Sequence, residues 1–306
     1  MKKLFVTGIG PGKEEEMTAR ARASLEAADL LCGYTGYIKL IAELYPDKEV
    51  LATPMMQELA RCRAALEAAD QGKTVTMICS GDAGVYGMAS PILELAPEFP
   101  QVEIEIVTGV TAALSGAAVL GAPLNHDFAV ISLSDLLTPW GTIFNRLKAA
   151  AEADFAICLY NPSSHKRADY LQKACDILLS YLPPDRTCGW ARNIGREGQE
   201  KGLLTLKALR DFPADMFTTV FIGNSTTRII SGRMVTPRGY QDQARSQEKN
   251  DSENGPADKG NGQESPLGSS QESLRQSSQE GLRGPKEGYG SNRRDKGRGD
   301  AKGTGK

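Results

Sequence analysis

Val75-Thr76-Met77-Ile78-Cys79-Ser80-Gly81-Asp82-Ala83-Gly84 condenses the fold into ten residues. The first five make a near-continuous apolar run, as in a strand covered on both faces, and the run breaks into a glycine-bearing loop. The same transition occurs upstream, where Lys3–Thr7 runs into Gly8-Ile9-Gly10-Pro11-Gly12. It occurs again downstream, where Val102–Val107 runs into Thr108-Gly109-Val110-Thr111-Ala112. Strands alternating with helical segments predict an α/β fold with a mainly parallel sheet. In such a sheet the three loops gather at the carboxyl edge, where ligands bind, and glycine lets backbone amides come close to them.

Outward from these loops, Thr53 and Pro54 read as the N-cap and first residue of a helix. That helix would carry Met55, Leu59, Cys62, Leu66 and Ala69 on one face until Gly72 stops it. Thr111–Leu120 is a helix of small residues, suited to close approach by a ligand or another element. A second series follows: strands at Ala129–Leu133, Phe155–Tyr160, Thr187–Ala191 and Thr218–Ile222, with a helix through Leu171–Leu179. The expected organisation is two α/β lobes, residues 1–121 with a mainly parallel sheet and 122–240 with a mixed one. The seam falls near Gly121–Asn125 and the active cleft between the lobes. From 241 to 306 the chain turns to Gly, Ser, Gln, Asn and mixed charge, with Leu267, Leu274, Leu282 and Tyr289 as its large apolar residues. That composition predicts a disordered low-complexity tail, because too little apolar surface opposes the entropy of ordering.

The chain has 306 residues, 40% hydrophobic and 24% charged, with a formal net charge of −2. That balance argues against binding nucleic acid through its phosphates. No apolar run approaches the ~18 residues of a membrane span, and the apolar start ends at Gly8, too soon for a secretory signal. A cytoplasmic protein is expected. The six cysteines form no C-x-x-C pair, and with only His126 and His165 as histidines no metal site is expected.

The loops discriminate among ligands. The first lacks the third glycine of G-x-G-x-x-G, and Pro11 removes an amide that would serve a pyrophosphate. Gly72-Lys73-Thr74 matches the end of a phosphate-binding loop, but Glu67 stands at its first glycine. An adenosine with a zwitterionic amino-acid arm fits better: amides and hydroxyls for its carboxylate and ribose, Asp82 for positive charge. Asp82 also fits an Asx-turn within its own loop.

Gly8-Ile9-Gly10-Pro11-Gly12, Ser80-Gly81-Asp82-Ala83-Gly84-Val85-Tyr86-Gly87-Met88-Ala89 and Thr108-Gly109-Val110-Thr111-Ala112-Ala113 together resemble the tetrapyrrole (precorrin) methyltransferase family. Asn125–Trp140, Leu159-Tyr160-Asn161-Pro162 and Trp190–Arg196 are similar to the branch that methylates precorrin-3B, or its cobalt analogue, at ring carbon 17 with ring contraction. The resemblance covers Lys3 to Tyr240. It implies a homodimer holding S-adenosylmethionine between the lobes and a place in corrin-ring biosynthesis. The implied cofactor contacts are Gly10, Pro11, Gly81, Asp82, Val85, Thr111, Ala112, Tyr160, Asn161 and Ala191. Many relatives have proline where this chain has Ala83.

Methyl transfer from a sulfonium to an enamine-like ring carbon asks mainly for positioning and desolvation, whereas ring contraction moves protons. His126 is the first candidate acid or base, because an unperturbed histidine titrates near about pH 6.5. It reads equally as a cap on the second lobe, or as a cobalt ligand. Asp135 is the second candidate, with helix N-capping as its other reading. The substrate class implied by the resemblance is rich in carboxylates, so Arg192, Asn193 and Arg196 are the candidate substrate contacts, with Lys166, Arg167 and Arg228 as further candidates in or near predicted loops. Three rival functions stand beside this one: a methyltransferase acting at another precorrin position, which the 125–140 motif disfavours; a nicotinamide-dependent oxidoreductase, which the first loop disfavours; and a non-catalytic nucleoside or tetrapyrrole binder.

Overall fold

The computed structural model describes residues 2–164 and 167–240. The tail expected at 241–306 and Lys166 lie outside the described residues. The first lobe is built on β1 (Lys3–Gly8), β2 (Leu30–Tyr34), β3 (Glu49–Thr53), β4 (Thr74–Cys79) and β5 (Glu103–Val107). All their pairings are parallel, in the order β3-β2-β4-β1-β5. Helices α1 (Ala19–Glu26), α2 (Thr35–Ile41), α3 (Glu58–Asp70) and α4 (Ala89–Leu95) connect them. β4 and β1 bury nearly every residue, as apolar runs must when helices cover both faces of a sheet.

The helix expected from Pro54 starts later, at Glu58. Thr53 completes β3 instead, and Met56 has φ 65°, which no right-handed helix accommodates. The buried stripe of α3 is Arg61, Cys62, Ala65, Leu66 and Ala69, while Met55 and Leu59 are exposed. Arg61 is buried because its guanidinium donates to Thr53 Oγ1 at 2.6 Å, tying α3 to the end of β3.

α5 (Ala112–Leu120) follows β5, then β6 (Gly121–Ala122). The second lobe comprises β7 (Phe128–Ser132), α6 (Trp140–Glu152), β8 (Ala156–Tyr160), α7 (Tyr170–Leu178), β9 (Thr187–Arg192), β10 (Glu200–Thr205), α8 (Leu206–Leu209) and β11 (Thr218–Ile222). Its sheet runs β10-β9-β11-β8-β7, with β7 parallel to β8 and the other pairs antiparallel. β12 (Arg228–Ile230) and β13 (Arg233–Val235) form a small third sheet with β6. Ala113, Ala117 and Leu120 of α5 pack with Cys158, Phe221 and Met234, all residues that follow the expected seam. By packing, α5 therefore sits with the second lobe, and the first lobe's own layers end with β5. Its small side chains allow that approach: a Cβ on Gly116 would lie 2.9 Å from the Phe221 ring.

Candidate active site

The strand order places β4, β1 and β5 side by side, so their three glycine loops leave the sheet as neighbours. The first two are joined by a reciprocal pair of bonds. Gly10 N donates to Gly81 O at 3.0 Å, and Gly81 N to Gly10 O at 2.8 Å. The third packs backbone against backbone on both: a Cβ on Gly109 would lie 2.1 Å from Gly81 O and 2.5 Å from Gly8 O. Asp82 completes the junction. One carboxylate oxygen accepts from Gly84 N at 2.8 Å, the Asx-turn foreseen, and the other from Gly109 N at 3.0 Å. Gly84, Val85 and Tyr86 lie on the exposed side of the second loop, with Thr111 and Ala112 half-buried at the start of α5.

Second-lobe side chains reach this junction from the carboxyl ends of β7 and β8. The Tyr160 hydroxyl lies 2.5 Å from Thr111 Oγ1 and accepts from Ala113 N at 2.6 Å, so a phenol satisfies an otherwise orphaned amide at the start of α5. Burial pushes the Tyr160 hydroxyl up to about 12. Tyr86, from the second loop, accepts from Ser132 N and donates to Val130 O, both at 3.2 Å. Its ring lies 5.6 Å from that of Tyr160. Tyr86 has φ 56°, a costly backbone conformation for a bulky residue and one that concentrates at functional sites. Asn161 and Asn193 also have positive φ, which asparagine tolerates, at the ends of β8 and β9. Asn161 Nδ2 donates to Ser132 Oγ at 2.9 Å, and Asn193 Nδ2 to Gly198 O at 3.3 Å.

Arg196 crosses from the second lobe to the first. Its Nε donates to Pro11 O at 2.9 Å and Nη2 to Ser80 Oγ at 2.8 Å. Pro11 is buried beneath Gly195 and Arg196 as a result. Burial lowers the Arg196 pKa, and among the described residues no carboxylate lies within 4 Å of its guanidinium. Arg192 is different. It pairs with Glu200 at 3.2 Å and Asp215 at 3.3 Å and donates to Pro213 O at 2.9 Å, so its charge is already spent inside the fold.

Three expected roles change on this geometry. His126 lies before β7, at the opposite end of the strand from Ser132. The length of β7 lies between the two, about 13 Å of strand. His126 is exposed and hydrogen-bonds through Nε2 to Pro237 O at 2.8 Å, which makes it a tie to the chain after β13 and removes it from the cleft. Ala191 is fully buried within β9 between β10 and β11, and has no surface for a cofactor. Asp135 caps no helix, since α6 begins at Trp140. It does follow β7 on the cleft side, where Tyr170 donates its hydroxyl proton to Asp135 and Arg167 lies 3.4 Å away. Those two partners, Tyr170 foremost, hold the Asp135 carboxyl below its usual range. The sequence does not single out Tyr86, Ser132 or Tyr170, which this geometry adds to the candidate site. Tyr86 and Ser132 stand inside the distinctive stretches, but only the strand order brings them together.

Residues 3–210 match the family model of tetrapyrrole (corrin/porphyrin) methylases. A probable cobalt-factor III C(17)-methyltransferase from Salmonella typhimurium is 46% identical over 238 residues, 78% of this chain and 99% of that one. A precorrin-3B C(17)-methyltransferase from a Sinorhizobium species is 40% identical over 246 residues, 78% and 96% of the two chains. The crystal structure of the methyltransferase CobJ superposes with a TM-score of 0.71 at 37% identity, covering 76% of this chain and 99% of that one. With its three joined glycine loops beneath the ends of β7 and β8, the chain belongs to the tetrapyrrole methylase family.

Proposed function

We propose that this protein transfers a methyl group from S-adenosylmethionine to ring carbon 17 of cobalt-factor III, with ring contraction, as a step of corrin-ring biosynthesis. The observation that carries the reading is the meeting of three glycine loops at adjacent strand ends with second-lobe residues: Tyr160 on Thr111 of the third loop and Ser132 on Tyr86 of the second. The higher identity to the cobalt-factor III relative than to the precorrin-3B relative favours the cobalt-bearing substrate. A cytoplasmic homodimer is the form in which we place it. No helix among the described residues is long and apolar enough to cross a membrane.

The residues fit the cofactor. Gly10 and Gly81 bring bare backbone together, and Gly84 and Val85 leave an open rim. Ala112 begins α5, whose amino end favours a carboxylate, and Thr111 and Tyr160 supply hydroxyls. Asp82 supplies the negative charge that a sulfonium or ammonium prefers, and Pro11 leaves the first loop an amide short for a pyrophosphate. When bound, the cofactor brings an electrophilic methyl group; the chain's part is to align it and keep water out. Tyr160, neutral far above physiological pH, donates or accepts hydrogen bonds there without adding charge. Asp135 is ionised at neutral pH, and its place is to hold Arg167 and Tyr170. Of the pair Arg192 and Arg196, Arg196 is the one without a carboxylate partner among the described residues and so open to a substrate carboxylate, with Asn193 beside it; Arg192 is compensated by Glu200 and Asp215.

The test is anaerobic incubation of the full chain with S-adenosylmethionine and either cobalt-factor III or precorrin-3B, followed by mass spectrometry and absorption spectroscopy. One added methyl group and a contracted-ring spectrum are expected, with cobalt-factor III turned over faster. Methylation at another carbon, or cofactor binding without turnover of either tetrapyrrole, would overturn the assignment.

A further inference from the structure

The stretch that distinguishes the branch, Asn125–Trp140, contains two leucines that the mechanism above leaves unused. Between β7 and α6 the chain passes through Leu133-Ser134-Asp135-Leu136-Leu137-Thr138-Pro139. Leu133 is fully buried, but Leu136 is 64% and Leu137 98% exposed. Flanking bonds fix the segment that presents them. Arg167 Nη1 donates to Ser134 Oγ at 2.7 Å and reaches Asp135 at 3.4 Å, Tyr170 bonds Asp135, and Ser134 N donates to Ser132 Oγ at 3.2 Å. The Tyr170 ring is itself held against Trp140, 4.8 Å away. An anchored loop that ends in two outward leucines gains nothing from them in the isolated chain.

Resting on the functional reading above, we infer that Leu136 and Leu137 form an apolar contact for the face of the tetrapyrrole macrocycle, and that Asp135, Arg167 and Tyr170 are positioning residues for that loop. Ser132 connects the loop to the site: it accepts from Asn161 Nδ2 through its side chain and donates through its amide to Tyr86, four residues before Leu136. The leucines therefore sit on the loop that leaves Ser132, which itself bonds residues expected to hold the cofactor. Two leucine side chains offer far less than the roughly 800 Å² per partner of a stable protein interface, but suit one face of a planar ring.

The experiment compares the full-length chain with Leu136→Ser/Leu137→Ser and Leu136→Met/Leu137→Met. Both replace exposed side chains, so folding is retained. Measured are KM and kcat for cobalt-factor III, the Kd of S-adenosylhomocysteine by calorimetry, and mass in solution by sedimentation. The serine variant is expected to raise the tetrapyrrole KM on the order of 10- to 100-fold, with cofactor Kd and mass unchanged and the methionine variant close to wild type. An unchanged KM in the serine variant, an equal loss of cofactor affinity, or a fall in mass marking the loop as a contact between copies would each overturn the inference. A wild-type chain inert toward both tetrapyrroles overturns the functional reading and this inference with it. An active wild type with an unaffected serine variant overturns the loop assignment alone.

Discussion

Tyr160 shows how one atom ties the end of β8 to the start of α5, where the third glycine loop ends. Its hydroxyl meets Thr111 Oγ1 and Ala113 N, so Tyr160→Phe deletes two hydrogen bonds and strands a helix amide. A loss of about 1–3 kcal/mol in urea unfolding is expected. The pH dependence follows from the raised pKa, about 12 against 10.0 for the free phenol. The unfolded chain ionises first, so the stability this residue contributes is complete below pH 10 and fades as pH rises toward 12. The stability difference between wild type and Tyr160→Phe should be constant at neutral pH and shrink across that interval. Asp135 carries the opposite shift. Its carboxyl is held below the ordinary value of 3.8 by Tyr170 and then Arg167, so the contact is present above that pH and is lost only as pH falls through the lower folded value. Asp135→Asn should raise the tetrapyrrole KM while leaving the shape of the kcat–pH profile unchanged between pH 6 and 9. Loss of a limb from that profile would restore a proton-transfer role.

At the scale of elements, adjacency decides. Each glycine loop by itself is an ordinary strand-to-helix turn; β4-β1-β5 order turns three of them into one junction. Gly109→Ala should split that junction, because the new methyl carbon would sit well inside the van der Waals contact distance of two carbonyl oxygens. The expected cost is about 3 kcal/mol in unfolding free energy, together with loss of S-adenosylhomocysteine binding by calorimetry. Arg196 fastens β9's following loop to the first two glycine loops by two charge-assisted bonds. Arg196→Ala should cost about 2–4 kcal/mol in urea unfolding and weaken both cofactor and tetrapyrrole. Arg196→Lys should recover part of the stability, since one ammonium cannot replace a guanidinium fork at both Pro11 and Ser80. The late start of α3 follows the same logic. Apolar spacing from Met55 onward fits a helix, but the pairing of β3 with β2 extends through Thr53 and leaves Pro54–Gln57 to turn the chain.

Across the whole molecule, the two ends of the second sheet have different tasks. The carboxyl ends of β7 and β8 face the glycine loops, while the start of β7 is held by His126 against Pro237. Loss of a general acid or base typically slows turnover by about 10²–10⁴-fold. His126→Ala should change kcat by less than about twofold, with a modest fall in thermal stability as its readout. What the sequence by itself determined is the local grammar: apolar runs broken at glycine gave the α/β class, and the motifs of the loops and of the second lobe gave the family. The class follows from backbone sterics and hydrophobic patterning within a dozen residues, while the family rests on the resemblance of whole motifs in both lobes. Only the tertiary structure decided which polar groups work together. Strand order and direction sent His126 away from the cleft, sealed Ala191 inside a sheet, and matched Arg192 with two carboxylates. The same arrangement joined Tyr86, Ser132 and Asn161, residues up to 75 positions apart in the chain. The physical reason is that a side chain's role depends on its partners' charge and distance, and those are set by strand pairings and helix packing that span a hundred residues.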